Sequence, residues 1–192
     1  MKIRTLVALF GLAAVPGIAS AHSLVDMGGG GFVAGLSHPF SGPDHLLAML
    51  GVGLWAASLG GAAAWKVPAS FVVMLTAGCV LAMGGVTMPL VEPFIAASVL
   101  LLGLALMLAL RASTVGGSVM VGLFALFHGQ AHGAELPLAA SAWMYMFGMV
   151  GASVVLHLVG LGMGHALRRN QWLLRTGGAL VAGAGVWLMA GV

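Results

Sequence analysis

The sequence predicts an all-α membrane protein, a polytopic bundle of about six transmembrane helices that follow a cleaved signal peptide. Of its 192 residues, 61% are hydrophobic and only 6% are charged, and the mean hydropathy is +1.12. Soluble domains carry about 25% charged residues. The apolar runs are long and continuous, whereas the strands of a membrane β-barrel alternate over segments of about ten residues. We therefore expect one transmembrane domain, residues 22–192.

The first 21 residues have the three parts of a secretory signal peptide. Lys2 and Arg4 supply positive charge, residues 6–18 form an apolar stretch, and Ala19-Ser20-Ala21 is a small-residue cleavage site. The apolar stretch is short for a transmembrane helix, which needs about 20 such residues. Cleavage makes His22 the first residue of the mature chain. An uncleaved first helix is the alternative that the pattern leaves open.

Six later apolar segments are each about long enough to cross ~30 Å of hydrocarbon. Prolines open the first three, at Pro43, Pro68 and Pro93, which suits a first helical turn where the missing N–H needs no partner. Residues 24–37 are apolar but rich in glycine, which indicates a short re-entrant or interfacial helix or a loop that lines a site. The predicted spans are residues 43–60, 68–86, 93–110, 115–132, 139–165 and 175–191.

The distribution of basic residues predicts the orientation. Seven Lys and Arg residues less the two of the signal peptide leave five, against four Asp and Glu, a net charge of +1. All five lie in or beside alternate connections, whereas residues 87–92 and 133–138 contain no Lys or Arg. The positive-inside rule makes the basic side cytoplasmic, so both ends of the mature chain face outward from a bacterial inner membrane. The five are Lys66, Arg111, Arg168, Arg169 and Arg175.

Two short motifs place imidazole and carboxylate groups inside or beside apolar spans. The first is His38-Pro39-Phe40-Ser41-Gly42-Pro43-Asp44-His45, and the second is His128-Gly129-Gln130-Ala131-His132-Gly133-Ala134-Glu135. Ionisable groups inside a membrane are costly and therefore indicate a functional site. The predicted topology brings both motifs to the outer face, at the ends of spans one and four. On a continuous helix, the three ionisable groups of the second motif share one face, at i, i+4 and i+7.

Imidazole combined with carboxylate is a ligand set for nickel, cobalt, copper or zinc. His157 stands alone in span five and is equally well interpreted as a hydrogen-bonded core residue. His22 could chelate a metal through its imidazole and the new α-amine. The single cysteine, Cys79, and the 13 methionines are interpreted as packing residues. The candidate metal residues are His38, Asp44, His45, His128, His132 and Glu135, with His22 and His157 as weaker candidates.

These motifs resemble those of the HupE/UreJ family of bacterial nickel/cobalt permeases. The resemblance rests on His38-x5-Asp44-His45 and on Phe127-His128-Gly129-x-Ala131-His132-Gly133-x-Glu135, and the signal peptide, chain length and six-span layout agree with it. It implies uptake of Ni²⁺, or of Co²⁺ in some members, as a transported substrate without a prosthetic group. It also implies metal-handling roles for the six main candidates, and His22 and His157 are weaker transfers.

The leading functional hypothesis is a secondary permease and not an enzyme. No G-x4-G-K-[ST] motif occurs, so the chain carries no P-loop ATPase motif. A membrane metal sensor or accessory subunit is one alternative, and an intramembrane metal-dependent hydrolase is another, although the H-E-x-x-H order is absent. The divalent ion and the lipid bilayer are the expected partners, and no Lys/Arg-rich run predicts nucleic-acid binding. Gly31-x3-Gly35 and Gly160-x3-Gly164 predict close helix packing, which is compatible with a homo-oligomer.

Overall fold

The computed structural model describes residues 31–136 and 141–191, and every regular element within these ranges is helical. The predicted signal peptide, His22 and residues 139 and 140 of the predicted fifth span lie outside these ranges. A short helix and a 3-10 turn precede six longer helices. The elements are α1 (Gly31–Ser37), the 3-10 turn (His38–Phe40), α2 (Pro43–Leu59), α3 (Ala63–Met83), α4 (Val91–Met107), α5 (Thr114–Ala134), α6 (Ala142–Leu167) and α7 (Gln171–Ala190).

The helices have the length and the surface of a membrane bundle. Among the described residues, α3, α6 and α7 are long and apolar enough to cross a membrane, and α4 is a shorter apolar helix of 17 residues. Large apolar side chains lie on the outside, among them Val73 and Leu180, which are 65% and 67% exposed. Such a surface is costly in water, whereas lipid is as apolar as the side chains themselves. The predicted all-α membrane bundle is thereby confirmed.

One of the three helices predicted to open on a proline does so, and the other two begin before it. Pro43 does open α2. However, α3 begins five residues before Pro68, which therefore lies inside the helix. The chain turns at Gly60 and Gly61, whose φ angles are 73° and 52°. Glycine tolerates these angles, so the helix starts directly after the turn. Pro93 likewise follows the first two residues of α4.

Three pairs of helices make the most extensive contacts of the bundle: α2 with α6, α3 with α5, and α4 with α7. Each pair touches backbone to backbone at glycine. A Cβ atom on Gly160 of α6 would collide with the Leu50 carbonyl oxygen of α2, and one on Gly78 of α3 would collide with that of Leu126 in α5. Gly103 of α4 approaches the α7 backbone in the same way. Close packing of this kind holds helices together in lipid.

Helix α1 lies on α6 and carries the first histidine motif into the bundle. A Cβ atom on Gly35 would collide with the Tyr145 backbone of α6, and one on Gly148 would collide with the Phe32 carbonyl oxygen. The close packing predicted for the Gly31-x3-Gly35 pattern is therefore confirmed. The 3-10 turn follows α1 directly and contacts both α2 and α6. It thus places His38 beside the start of α2.

The bundle has one basic end and one histidine-rich end. At the basic end, Nη1 of Arg111 donates a hydrogen bond to the Ser58 carbonyl oxygen at 3.3 Å. Nε1 of Trp55 donates to the Leu110 carbonyl oxygen at 3.2 Å. Both bonds join the end of α2 to the segment after α4. His45 lies in the first turn of α2, and is therefore at the opposite end of that helix.

Gly160→Ala is expected to destabilise the protein, because its Cβ atom must push α2 away at Leu50. The cost expected for such overpacking is about 1–3 kcal/mol. Gly162→Ala is the matched control on the same helix, since its Cβ atom meets nothing within 4 Å and alanine favours a helix over glycine. Thermal unfolding of both purified variants in one detergent gives the comparison. Equal stability of the two variants would contradict the close contact of α2 with α6.

Candidate metal centre

Four imidazole rings from three separate segments meet at one end of the bundle. His38 comes from the 3-10 turn, His45 from the first turn of α2, and His128 and His132 from the last two turns of α5. The ring centroids of His45 and His132 are 4.3 Å apart, those of His38 and His132 are 4.8 Å apart, and those of His45 and His128 are 5.0 Å apart. The structure thus brings the two sequence motifs into direct contact.

Glycines beside the histidines of α5 hold this end of the helix on α3. A Cβ atom on Gly129 would collide with the Leu75 carbonyl oxygen, and one on Gly133 would lie 2.6 Å from the Cys79 carbonyl oxygen. The Cys79 side chain is itself fully buried, as expected for a packing residue. The glycines of the second motif therefore position its histidines, because they fix the distance between α5 and α3.

The histidines become more buried from His38 inward. The side chains of His38 and His45 are 24% and 11% exposed, and His128 and His132 are 0% exposed. Neither ring nitrogen of His132 has a hydrogen-bond partner within the described chain. A buried polar atom without a partner costs about 1–3 kcal/mol. A neutral imidazole has one nitrogen with a lone pair, and a ligand bound to that nitrogen would offset part of this cost.

Asp44 holds the ring of its neighbour His45 in one tautomer. One carboxylate oxygen, Oδ1, lies 2.8 Å from Nδ1 of His45 and also 2.8 Å from its backbone nitrogen. Because a carboxylate only accepts hydrogen bonds, Nδ1 carries the proton and Nε2 keeps its lone pair. Nε2 is buried and has no hydrogen-bond partner among residues 31–136 and 141–191. Carboxylates orient metal-binding histidines in this manner.

Glu135 joins the second motif to the first. Its Oε2 atom lies 2.9 Å from Nε2 of His38. Glu135 follows the last residue of α5 as its C-cap, and its backbone N–H donates to the Ala131 carbonyl oxygen as in a continuous helix. The hydrogen bond from His38 lowers the pKa of the Glu135 carboxyl group. Ligand atoms of His38, His132 and Glu135 lie within 4.8 Å of one another, close enough to hold one metal ion.

Two polar side chains near the cluster were not selected from the sequence. Oγ of Ser98, on α4, lies 2.9 Å from Nε2 of His128. The ring of Tyr145, on α6, lies 5.6 Å from that of His38, and its buried hydroxyl has no partner in the part of the chain described. The available signals were a hydroxyl within an apolar span and the only tyrosine of the sequence. Both are weak, because hydroxyl groups in helices commonly bond to their own backbone.

The other two histidines among the described residues, His157 and His165, lie apart from the four rings. His157 is buried on α6, and the ring of Phe71 contacts it at 4.8 Å and His128 at 5.7 Å. Nδ1 of His157 lies 3.4 Å from Oγ of Ser153. His165 is exposed, and its Nδ1 donates to the Leu161 carbonyl oxygen at 2.9 Å.

A family model and a known protein that resemble this chain carry the same name, HupE. The family model described as HupE / UreJ protein matches residues 9–188. Protein HupE of Rhizobium leguminosarum bv. viciae is 42% identical over 193 residues, and the alignment covers 100% of both chains. No solved structure matches the chain. The matched region includes both histidine motifs.

His132→Leu is expected to stabilise the metal-free protein while removing a candidate metal ligand. The substitution removes the two buried ring nitrogens, which lack hydrogen-bond partners in the described structure. The free energy of unfolding should therefore rise by about 1 kcal/mol. Thermal unfolding in the presence of a chelator measures this change. His165→Leu is the control, because His165 is exposed and already hydrogen-bonded. A lower unfolding temperature for His132→Leu would show that polar groups satisfy His132 without metal.

Proposed function

This chain belongs to the HupE/UreJ family, and we propose that it is a secondary permease that imports a divalent transition-metal ion, Ni²⁺ first and Co²⁺ second, and is not an enzyme. The observation that carries the proposal is the meeting of four imidazoles and two carboxylates at one end of an apolar bundle. Such groups are retained in membrane segments where they serve ions or substrates. The six residues are His38, Asp44, His45, His128, His132 and Glu135.

The chemistry of the donor atoms supports a borderline divalent ion. Neutral imidazole nitrogen binds nickel, cobalt and zinc, and carboxylate oxygen offsets the positive charge. The one thiol of the sequence is Cys79, whose Sγ lies 3.8 Å from Sδ of Met83 within the helix core. The set thus lacks the thiolate ligands of a closed, permanent site. A transported ion must also leave, which favours a site of mixed nitrogen and oxygen atoms.

The gradient of burial supports capture from one end. Glu135 and His38 have side chains that are 54% and 24% exposed, whereas His128 and His132 are fully buried. An ion arriving from the aqueous side meets the exposed pair first and exchanges water for protein ligands as it moves inward. His157 lies beyond the Phe71 ring and is the proposed next ligand along α6.

The membrane potential supplies enough energy for uptake without ATP. An inside-negative potential contributes about 2.3 kcal/mol per charge per 100 mV, hence about 4.6 kcal/mol for a divalent ion. This free energy corresponds to accumulation on the order of a thousandfold. A proton gradient is the second driving force that the same histidines would allow.

Radiolabelled Ni²⁺ and Co²⁺ should accumulate in proteoliposomes that carry the wild-type protein and an inside-negative potential. His132→Ala is expected to abolish accumulation because it removes a ligand. Asp44→Asn should do the same, because it loses the negative charge and its NH2 group can face Nδ1 of His45, which favours the other tautomer. Arg168→Ala is the control, since Arg168 lies at the C-cap of α6, away from the cluster. Wild-type uptake by correctly inserted His132→Ala protein would contradict the site.

The same vesicles separate the competing functions. Uptake that requires a pH gradient instead of the potential would identify proton coupling. Ion binding without accumulation would contradict a permease and favour a sensor or accessory subunit. Accumulation of one ion only would name the preferred substrate.

We place the protein in the bacterial inner membrane with the mature N-terminus and the C-terminus outside. All five basic residues beyond the signal peptide lie in or beside connections predicted on one side, and the positive-inside rule makes that side cytoplasmic. Alkaline phosphatase fused after Val192 should be active and green fluorescent protein there should be dark. Insertion of the same reporters at Asn170, between α6 and α7, should give the reverse result. Fluorescence at the C-terminus would contradict this orientation.

A further inference from the structure

We propose that Ser98 is a positioning residue for His128: its hydroxyl oxygen fixes the tautomer in which Nδ1 of His128 is the nitrogen available to a metal ion. The inference deepens the proposed function of the same site. It rests on that function for the metal, but the tautomer follows from the protein alone.

Ser98 joins α4 to the histidine cluster by a hydrogen bond. It is 1% exposed and lies among apolar neighbours of its own helix, including Ile95 and Val99, which are also buried. Its Oγ atom is 2.9 Å from Nε2 of His128 on α5. Both the hydroxyl and the imidazole are buried among apolar side chains, where a polar group needs a hydrogen-bond partner. Their contact supplies one.

Two distances fix the position of the proton between Ser98 and His128. Oγ of Ser98 lies 2.6 Å from the Ile95 carbonyl oxygen, closer than to the imidazole nitrogen. Two oxygen atoms approach to this distance only when a proton lies between them, because their lone pairs otherwise repel. A serine hydroxyl has one proton, and here it is donated to Ile95. Nε2 of His128 must therefore carry its own proton and donate it to Oγ.

The consequence is that Nδ1 of His128 holds the lone pair. This atom is buried and has no hydrogen-bond partner in the described parts of the chain. The adjacent ring, His45, is 5.0 Å away and is held at Nδ1 by Asp44, which leaves its Nε2 available. Ser98 thus acts on His128 as Asp44 acts on His45. Histidines that bind metals donate their second ring N–H to an oxygen acceptor in this way.

The competing explanation is that Ser98 only satisfies its own helix. Serine hydroxyls commonly bond to a carbonyl oxygen three or four residues earlier. In that case the His128 tautomer would not depend on the hydroxyl, and removal of Ser98 would change neither the ring protonation nor the metal affinity.

Nitrogen-15 NMR of the metal-free, full-length protein labelled on histidine reads the tautomer directly. His128 is assigned from the signal lost in His128→Gln, at a pH where imidazoles are neutral. We expect wild-type His128 to be protonated at Nε2 and Ser98→Ala to shift it towards the Nδ1-protonated form. Ser98→Thr keeps the hydroxyl and should restore the wild-type form. Ser153→Ala, which removes the hydroxyl near His157, is the control and should leave His128 unchanged.

Equilibrium binding of Ni²⁺ and Co²⁺ to the same proteins gives the second measurement. Loss of an oxygen partner behind a metal-binding histidine weakens affinity by about 10- to 100-fold, so this loss is expected for Ser98→Ala and not for Ser98→Thr. An unchanged tautomer in Ser98→Ala, with wild-type protein still binding metal, would overturn the inference. Failure of the wild-type protein to bind either ion would instead overturn the proposed function. If Ser98→Ala does not fold, Ser98→Cys retains the volume and accepts hydrogen bonds only weakly, and it should show the same shift.

Discussion

Direct backbone contact between helices is the constraint on which the rest of the bundle depends. In lipid, apolar side chains gain little by packing on one another, so helices associate through close contact and hydrogen bonds. Gly129 lets α5 touch α3, and Gly160 lets α6 touch α2. These contacts hold α5 on α3 and α6 on α2. In the bundle so assembled, His45 of α2 meets His128 and His132 of α5.

The histidine cluster lowers the stability of the bundle, because it places polar atoms among apolar helices. Hydrogen bonds satisfy part of the cluster: Asp44 accepts from His45, and Glu135 accepts from His38. His132 is buried with both ring nitrogens lacking partners among the described residues. A cluster whose atoms were all satisfied internally would gain little by binding an ion. At the metal site proposed above, the unsatisfied nitrogens represent stability given up for binding.

The sequence predicted the all-α class, the six long helices and the meeting of the two histidine motifs. It predicted the helix boundaries and the side-chain pairs less accurately. Long apolar segments identify the helices, but proline was a poor guide to where they begin. Pro68 lies inside α3 because the Gly60–Gly61 turn comes first. Glu135, at the C-cap of α5, pairs with His38 from the other motif. In the first case a turn overrides the local pattern, and in the second a partner distant in sequence adds a contact that the local pattern does not contain.

The sequence by itself determined that this is a helical membrane protein and which side chains carry imidazole and carboxylate groups, because hydropathy and side-chain chemistry are local properties. Only the tertiary structure decided which atoms pair. In the sequence, Ser98 is one of several hydroxyl residues in apolar spans. In the structure, the crossing of α4 and α5 brings its oxygen within hydrogen-bond distance of His128. That crossing depends on the rotation and separation of the helices. Side-chain size at their contacts sets both, and no single segment of sequence contains this information.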